Sequence, residues 1–134
     1  MIEERLKVLV IDDEAAMREV LEMRLKQWGF EVVVAKNAAE ALAKADSEAP
    51  DAVISDLVLP DSSGLDLVER LQGGSEQIPV IMQTAHGAVD TDVEARKGGA
   101  IDFQTKHIDY DKLKVTLLAA KHDLKRRARA QDLE

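Results

Sequence analysis

Cysteine is absent from the 134 residues, which removes a disulfide framework and any thiolate metal site and fits a reducing compartment. Basic residues are in deficit. The 18 Lys and Arg against 26 Asp and Glu leave a formal charge of −8, so the body of the domain would repel a polyanion such as nucleic acid. No apolar run approaches the roughly 20 residues that a membrane-spanning helix requires. The opening "MIEERLKVLVIDDE" sets acids before a short apolar stretch, unlike a secretory signal, and the chain reads as soluble and cytoplasmic with no membrane association. Internal repeats and low-complexity tracts are missing too. What is present, 46% apolar residues in a chain of this length, suffices for one packed core.

Short apolar runs without polar alternation recur at "LKVLVI" (6–11), "FEVVVA" (30–35), "DAVIS" (51–55), "IPVIMQ" (78–83) and "AIDF" (100–103). Such runs suit strands buried on both faces. Helix-period segments lie between them. Met17, Val20, Leu21, Leu25 and Trp28 share one face of 14–28, with Gly29 placed as a C-terminal cap. Asn37 and Glu40 in "NAAE" open a second helix with Ala38, Ala41, Leu42 and Ala45 inward. A third carries Leu65, Val68 and Leu71, a fourth spans about 88–97, and a fifth opens after Asp109. Strict alternation of five strands and five helices predicts an α/β, doubly wound parallel sheet with helices on both faces.

Open parallel sheets bind ligands beyond the carboxyl ends of their strands. The strand ends here carry Asp12, Asp13 and Glu14 after the first strand, Asp56 after the third, Thr84 in "QTAHG" after the fourth, and Lys106 in "FQTKH" after the fifth. Singly, each has an ordinary explanation as a turn, cap or surface residue. Together they put three carboxylates, a hydroxyl and an ammonium at one sheet edge.

These motifs, spread over residues 6–120, resemble the receiver domains of bacterial two-component response regulators. The resemblance implies the flavodoxin-like strand order 2-1-3-4-5 and phosphorelay signalling, with a sensor histidine kinase as partner. It makes Asp56 the phosphoacceptor, and gives Asp12 and Asp13 to Mg²⁺ binding. Thr84 would hydrogen-bond the phosphoryl group and Lys106 would pair with it. Phe103 corresponds to the family's aromatic switch residue, coupled to Thr84, while Val58 and His86 fall where the family tunes dephosphorylation. "QTAHG" and "GAIDFQTK" look most like receivers of AAA+ transcriptional activators.

Elementary chemistry agrees with those roles. Unit charges about 4 Å apart interact by roughly 4 kcal/mol at an effective dielectric of 20, so clustered carboxylates call for a cation. An oxygen-only donor set favours Mg²⁺, with Asp13 and Asp56 as direct ligands, Asp12 acting through water, and the carbonyl of Val58 added as the family implies. A carboxylate is already ionised at neutral pH, so Asp56 needs no general base. In-line phosphoryl transfer is mainly positioning and electrostatics, which Lys106 and Thr84 would supply. The fourth helix has little beyond Val89, Val93 and Ala95 to bury, which reads either as a loosely held part of the output face or simply as a marginal surface helix; weak dimerisation favoured by phosphorylation is expected through the fourth helix, fifth strand and fifth helix.

One departure stands out. His107 follows Lys106 where the family usually has a proline joined by a cis bond, and a cis bond before a non-proline costs roughly 3–4 kcal/mol, so a trans Lys106–His107 bond is predicted. His107 and His122 read as surface residues. Tyr110, Leu113, Leu117, Ala120 and Leu124 form a seam at 3-4-3-4 spacing that fails at Arg127 and Gln131. Residues 1–120 are accordingly assigned to the receiver and 121–134 to a helix extension or linker towards an output domain, with no direct nucleic-acid binding by this part. Two rival functions stand beside this one. A haloacid-dehalogenase-type phosphatase wants a second Asp two positions after the nucleophile, where Val58 stands. A degenerate receiver serving only as an interaction module fits the His107 departure.

Overall fold

The computed structural model describes residues 6–56, 59–72, 78–84, 100–105 and 110–119. Strands β1 (Lys7–Ile11), β2 (Glu31–Ala35), β3 (Ala52–Asp56), β4 (Val80–Thr84) and β5 (Ala100–Thr105) form one parallel sheet in the order β2-β1-β3-β4-β5. This is the order expected. Successive side chains of a strand point to opposite faces, so β1 divides its residues between two cores. Val8 and Val10 pack with Leu21 and Leu25 of helix α1 (Ala15–Gln27) and with Leu113 and Leu117 of the helix over 110–119. Leu9 and Ile11 pack with Ala38 and Ala41 of α2 (Ala38–Glu48) and with Leu67 and Val68 of α3 (Gly64–Leu71). The central strands β1 and β3 are therefore buried almost from end to end, including Ser55 and Asp56 at the end of β3, whereas β2, at one edge, is only partly covered. Edge strand β5 carries an irregularity, the register stepping from Val80↔Ala100 to Ile81↔Asp102, as edge strands often do.

Helix ends follow the local sequence. At the end of α1 the Gly29 N–H donates to Lys26 O at 3.1 Å and the Phe30 N–H to Leu25 O at 3.0 Å, with Gly29 at φ +92°. These are the two bonds of a Schellman cap. A Cβ on Gly29 would meet nothing within 4 Å, so the backbone conformation, not lack of space, is what selects glycine there. Asn37 caps α2 by accepting the Glu40 N–H at 2.8 Å. Ser63 caps α3 by accepting the Asp66 N–H at 3.1 Å.

Three expectations need correcting. Val20, expected on the inner face of α1, is 37% exposed, while Leu21 and Leu25, in one row four residues apart, are fully buried with Met17 and Trp28 packed against the same core. Leu67, not among the expected inner residues of α3, is fully buried, while Val68 and Leu71 are buried as expected. Asp56 and Thr84 do not follow their strands but are the last residues within them, with Asp56 in register with Gln83 and Thr84 with Thr105. Ladder bonds come from the backbone, so a strand continues under a polar side chain while a neighbour still offers partners. The expected fourth helix near 88–97, the Lys106–His107 bond, Ala120, Leu124, His122 and the segment 121–134 lie outside the described residues.

Candidate functional site

The carboxyl ends of β1 and β3 are neighbours in the sheet, and the acids expected there converge. Asp12, the first residue past β1, is 1% exposed, and its N–H donates to Ala35 O at 3.1 Å, extending the ladder by one bond. Its Oδ1 accepts the Glu14 N–H at 2.9 Å, an Asx-type turn that steers the chain from strand into α1. Its carbonyl accepts from Arg18 Nη1 at 2.7 Å. Asp56 closes β3 and is 5% exposed; behind it, the hydroxyl of buried Ser55 donates to the Asp56 carbonyl at 3.0 Å. Asp13 is exposed at the mouth.

One carboxylate oxygen from each of Asp12, Asp13 and Asp56 lies within 4.8 Å of the other two. Like charges at such separations repel by several kcal/mol in a weakly screening environment, and a donor set made only of carboxylate oxygens suits a hard divalent cation. Of the other expected site residues, Thr84 ends β4, the strand beside β3, and Phe103 lies in β5 opposite Met82. Val58, His86, Lys106 and His107 lie outside the described residues.

Two contacts near the site have no counterpart among the expected residues. Arg18 holds the Asp12 carbonyl, six positions away, a spacing that is neither a strand nor a helix period and gave no signal. Asp61 accepts the N–H groups of Ala38 and Ala39 at 2.8 and 3.0 Å. Those donors hold its carboxyl below the ordinary 3.8, the Ala38 bond being the larger cause. The unmet amides at the start of α2 were the available signal.

Comparison with known proteins bears on this geometry. The model of the response regulator receiver domain matches residues 8–118. The response regulator protein PilR of Pseudomonas aeruginosa is 41% identical over 116 residues, and the transcriptional regulatory protein ZraR of Klebsiella oxytoca is 36% identical over 117. Each alignment covers 87% of this chain and 26% of the relative, so the chain spans about a quarter of the length of these curated relatives. The crystal structure of a response regulator receiver domain protein from Clostridium thermocellum superposes with a TM-score of 0.84 at 30% identity, covering 90% of this chain and 97% of that one. With its acids gathered on the carboxyl rim of a β2-β1-β3-β4-β5 sheet and the family match spanning both cores, the chain belongs to the response regulator receiver domains, the receiving modules of two-component signalling.

Proposed function

We propose that this receiver accepts a phosphoryl group from a kinase phosphohistidine on the carboxylate of Asp56. The observation that carries the proposal is the convergence of Asp12, Asp13 and Asp56, with ligand oxygens within 4.8 Å of one another. Mg²⁺ is the cation that this oxygen-only set fits; Asp13 and Asp56 would hold it directly, Asp12 would act through water, and the Val58 carbonyl would complete the protein's share. When bound, it neutralises charge on the carboxylates and on the phosphoryl oxygens.

The Asp56 oxygen forms its bond to phosphorus as the bond from phosphorus to the donor's imidazole nitrogen breaks, leaving an aspartyl phosphate and a released ring nitrogen that takes up a proton to give neutral imidazole. Asp56, its carboxylate carried at the end of a fixed central strand, supplies an oriented nucleophile. The Lys106 ammonium and the Thr84 hydroxyl serve the equatorial oxygens of the transferring group. Movement of Thr84 towards the phosphoryl group frees space for Phe103, which passes the change to the surface of the fourth helix, β5 and the helix over 110–119. Val58 and His86 set the lifetime of the phosphorylated state.

Residues 1–120 form the receiver and 121–134 lead towards an output domain. The name of ZraR, a transcriptional regulatory protein, supports transcription as the output; the AAA+ activator type rests on the "QTAHG" and "GAIDFQTK" stretches, and a homodimer favoured by phosphorylation completes the proposal. The receiver itself touches neither nucleic acid nor membrane, and works in the cytoplasm. Among the described residues no helix is long and apolar enough to cross a membrane.

Intact-mass measurement after incubation with a small phosphodonor and Mg²⁺ tests the assignment. A single phosphoryl adduct is expected, lost with EDTA and lost in Asp56→Asn. An adduct that survives Asp56→Asn would overturn the choice of nucleophile. No adduct in the wild type would favour the interaction-module alternative, for which His107 in place of the family's usual proline is the motive.

A further inference from the structure

Asp61 is three residues past Val58 and outside the cluster of acids, yet its carboxylate spans 23 and 22 residues to reach the Ala38 and Ala39 N–H groups, at 2.8 and 3.0 Å. Helix α2 already has a local cap in Asn37, which accepts the Glu40 N–H at 2.8 Å. A second cap from a distant loop is therefore not required to start the helix, and ordering that loop costs entropy. What the contact does accomplish is topological.

Beyond β3, buried Leu59 donates its N–H to Ser62 O at 3.2 Å, and the segment over 59–62 ends at the Ser63 cap of α3. Both anchors belong to the segment's own continuation. Asp61 ties the segment to α2 instead, and α2 begins just after β2, whose last residue Ala35 accepts the Asp12 N–H at 3.1 Å and sits in register with Ile11. Asp61 is thereby linked to α2, and through Ala35 to Asp12, while β1 and β3 are joined directly by the pairing of Ile11 with Ser55. The carboxyl of Asp61 is held below its ordinary value by the same two amides, so both bonds are charge-assisted at neutral pH, and the helix amino end favours the negative charge.

We infer that Asp61 is a positioning residue for the metal site: by clamping the segment after β3 onto the start of α2, it sets the spacing between Asp56 and the Asp12–Asp13 pair. This rests on the site assignment made under Proposed function. Isothermal titration with MgCl₂ on the whole chain tests it.

Asp61→Ala should weaken the Mg²⁺ Kd about three- to tenfold, less than the roughly 10–100-fold seen when a ligand's direct outer partner is removed. Ala38→Pro removes one of the two donors from the opposite side. Proline is tolerated at a first helical position, and the preceding Asn37, at φ −153° and ψ 174°, is already in the extended region that proline demands. It should weaken binding similarly, and the double variant no more than either single one, since both cut the same link. Asn37→Ala, which removes the local cap alone, should lower stability and leave the Kd unchanged. Should Asp61→Ala not fold, Asp61→Asn, which keeps one accepting oxygen, and Ala38→Pro decide the matter. A Kd unchanged in the folded Asp61 and Ala38 variants, or a Kd weakened equally by Asn37→Ala, overturns the inference while leaving the site assignment intact. A wild type that binds no Mg²⁺ at millimolar concentrations overturns the site assignment and the inference with it, a result distinguishable from the others by its appearance before any substitution is made.

Discussion

The two ends of the sheet treat charge in opposite ways. At the amino end, Lys7 Nζ meets Glu48 Oε2 at 3.0 Å and the Glu48 carbonyl at 3.1 Å. There the Lys7 N–H donates to Asp51 Oδ2 at 2.9 Å, and the Asp51 N–H returns a bond to Lys7 O at 2.8 Å. Acid is matched with base and with backbone, and the outcome is a seam that ties β1 to the connection between α2 and β3. At the carboxyl rim, acid is brought to acid, with Asp12, Asp13 and Asp56 gathered within 4.8 Å. Paired charges at a surface contribute little and need no further explanation. Clustered like charges oppose folding unless something binds them, which is why local rules of good design are broken at functional sites more than elsewhere.

The largest expected effect separates the two ends by ligand. With Mg²⁺ at 100 times its Kd, the wild type should gain about 2.7 kcal/mol in stability, as for any ligand that binds only the native state. Denaturant titration with and without the metal measures this. Asp56→Asn and Asp13→Ala should abolish most of the gain, while Lys7→Met should leave it whole. A gain that Lys7→Met removes equally would erase the distinction between the ends.

The next effect belongs to the amino end and to backbone strain. Ala49, which closes α2, has φ +47°, a left-handed conformation that costs an L-residue roughly 1–2 kcal/mol and glycine little. Ala49→Gly should therefore raise the stability by about 1 kcal/mol or somewhat less, since the unfolded chain also gains freedom. The Mg²⁺ Kd should not change. A smaller effect of the same sign is expected at the other end. Asp13→Asn relieves repulsion at an exposed position and should stabilise the metal-free protein by on the order of 0.5 kcal/mol at low salt, fading as salt is added. Destabilisation by Asp13→Asn at low salt would mean that the rim acids are already compensated.

The same contrast explains how much could be read from the sequence. The amino-end seam and the carboxyl rim both lie at strand ends, but only the rim announces itself. Asp12, Asp13 and Asp56 are acids set directly against apolar runs, and the alternation of strands and helices brings all such ends to one edge. The Schellman cap at Gly29 and the cap at Asn37 were legible because their partners lie within five residues. Asp61 was not, since its partners are 22 and 23 positions away and only the packing of α2 beside the β3 connection makes them neighbours. Val20 and Leu67 were misplaced for a related reason. Helical periodicity picks out a stripe, but which flank of the stripe faces the sheet depends on how the helix is rolled against it, and that is settled by packing. Asp56 was assigned the right edge but the wrong side of the strand boundary, because pairing is a property of backbones and leaves no mark on side-chain type.

The smallest effects differ between the ends in the direction of pH. Asp61 at the rim has its carboxyl held below the ordinary 3.8 by the Ala38 and Ala39 amides. The folded state therefore favours the charged form, the stabilisation is complete above 3.8, and it is lost as pH falls through the lower native value. Lys7 at the amino end is raised above its ordinary 10.5, chiefly by its hydrogen bond to Glu48. Its stabilisation is complete below 10.5 and is lost as pH rises through the higher native value. Asp61→Asn should thus flatten the acid limb of the stability profile and leave the alkaline limb alone, and Lys7→Met should do the reverse. Both groups are exposed, so each change will be modest and will shrink with added salt for Lys7 more than for Asp61, whose partners are fixed amides in place of a mobile carboxylate. Denaturation midpoints measured across both limbs at two ionic strengths check this. If Lys7→Met altered the acid limb as strongly as the alkaline one, the amino-end seam would be acting through Glu48 and Asp51 left without their cation, and the ends would differ less in kind than in which partner is removed.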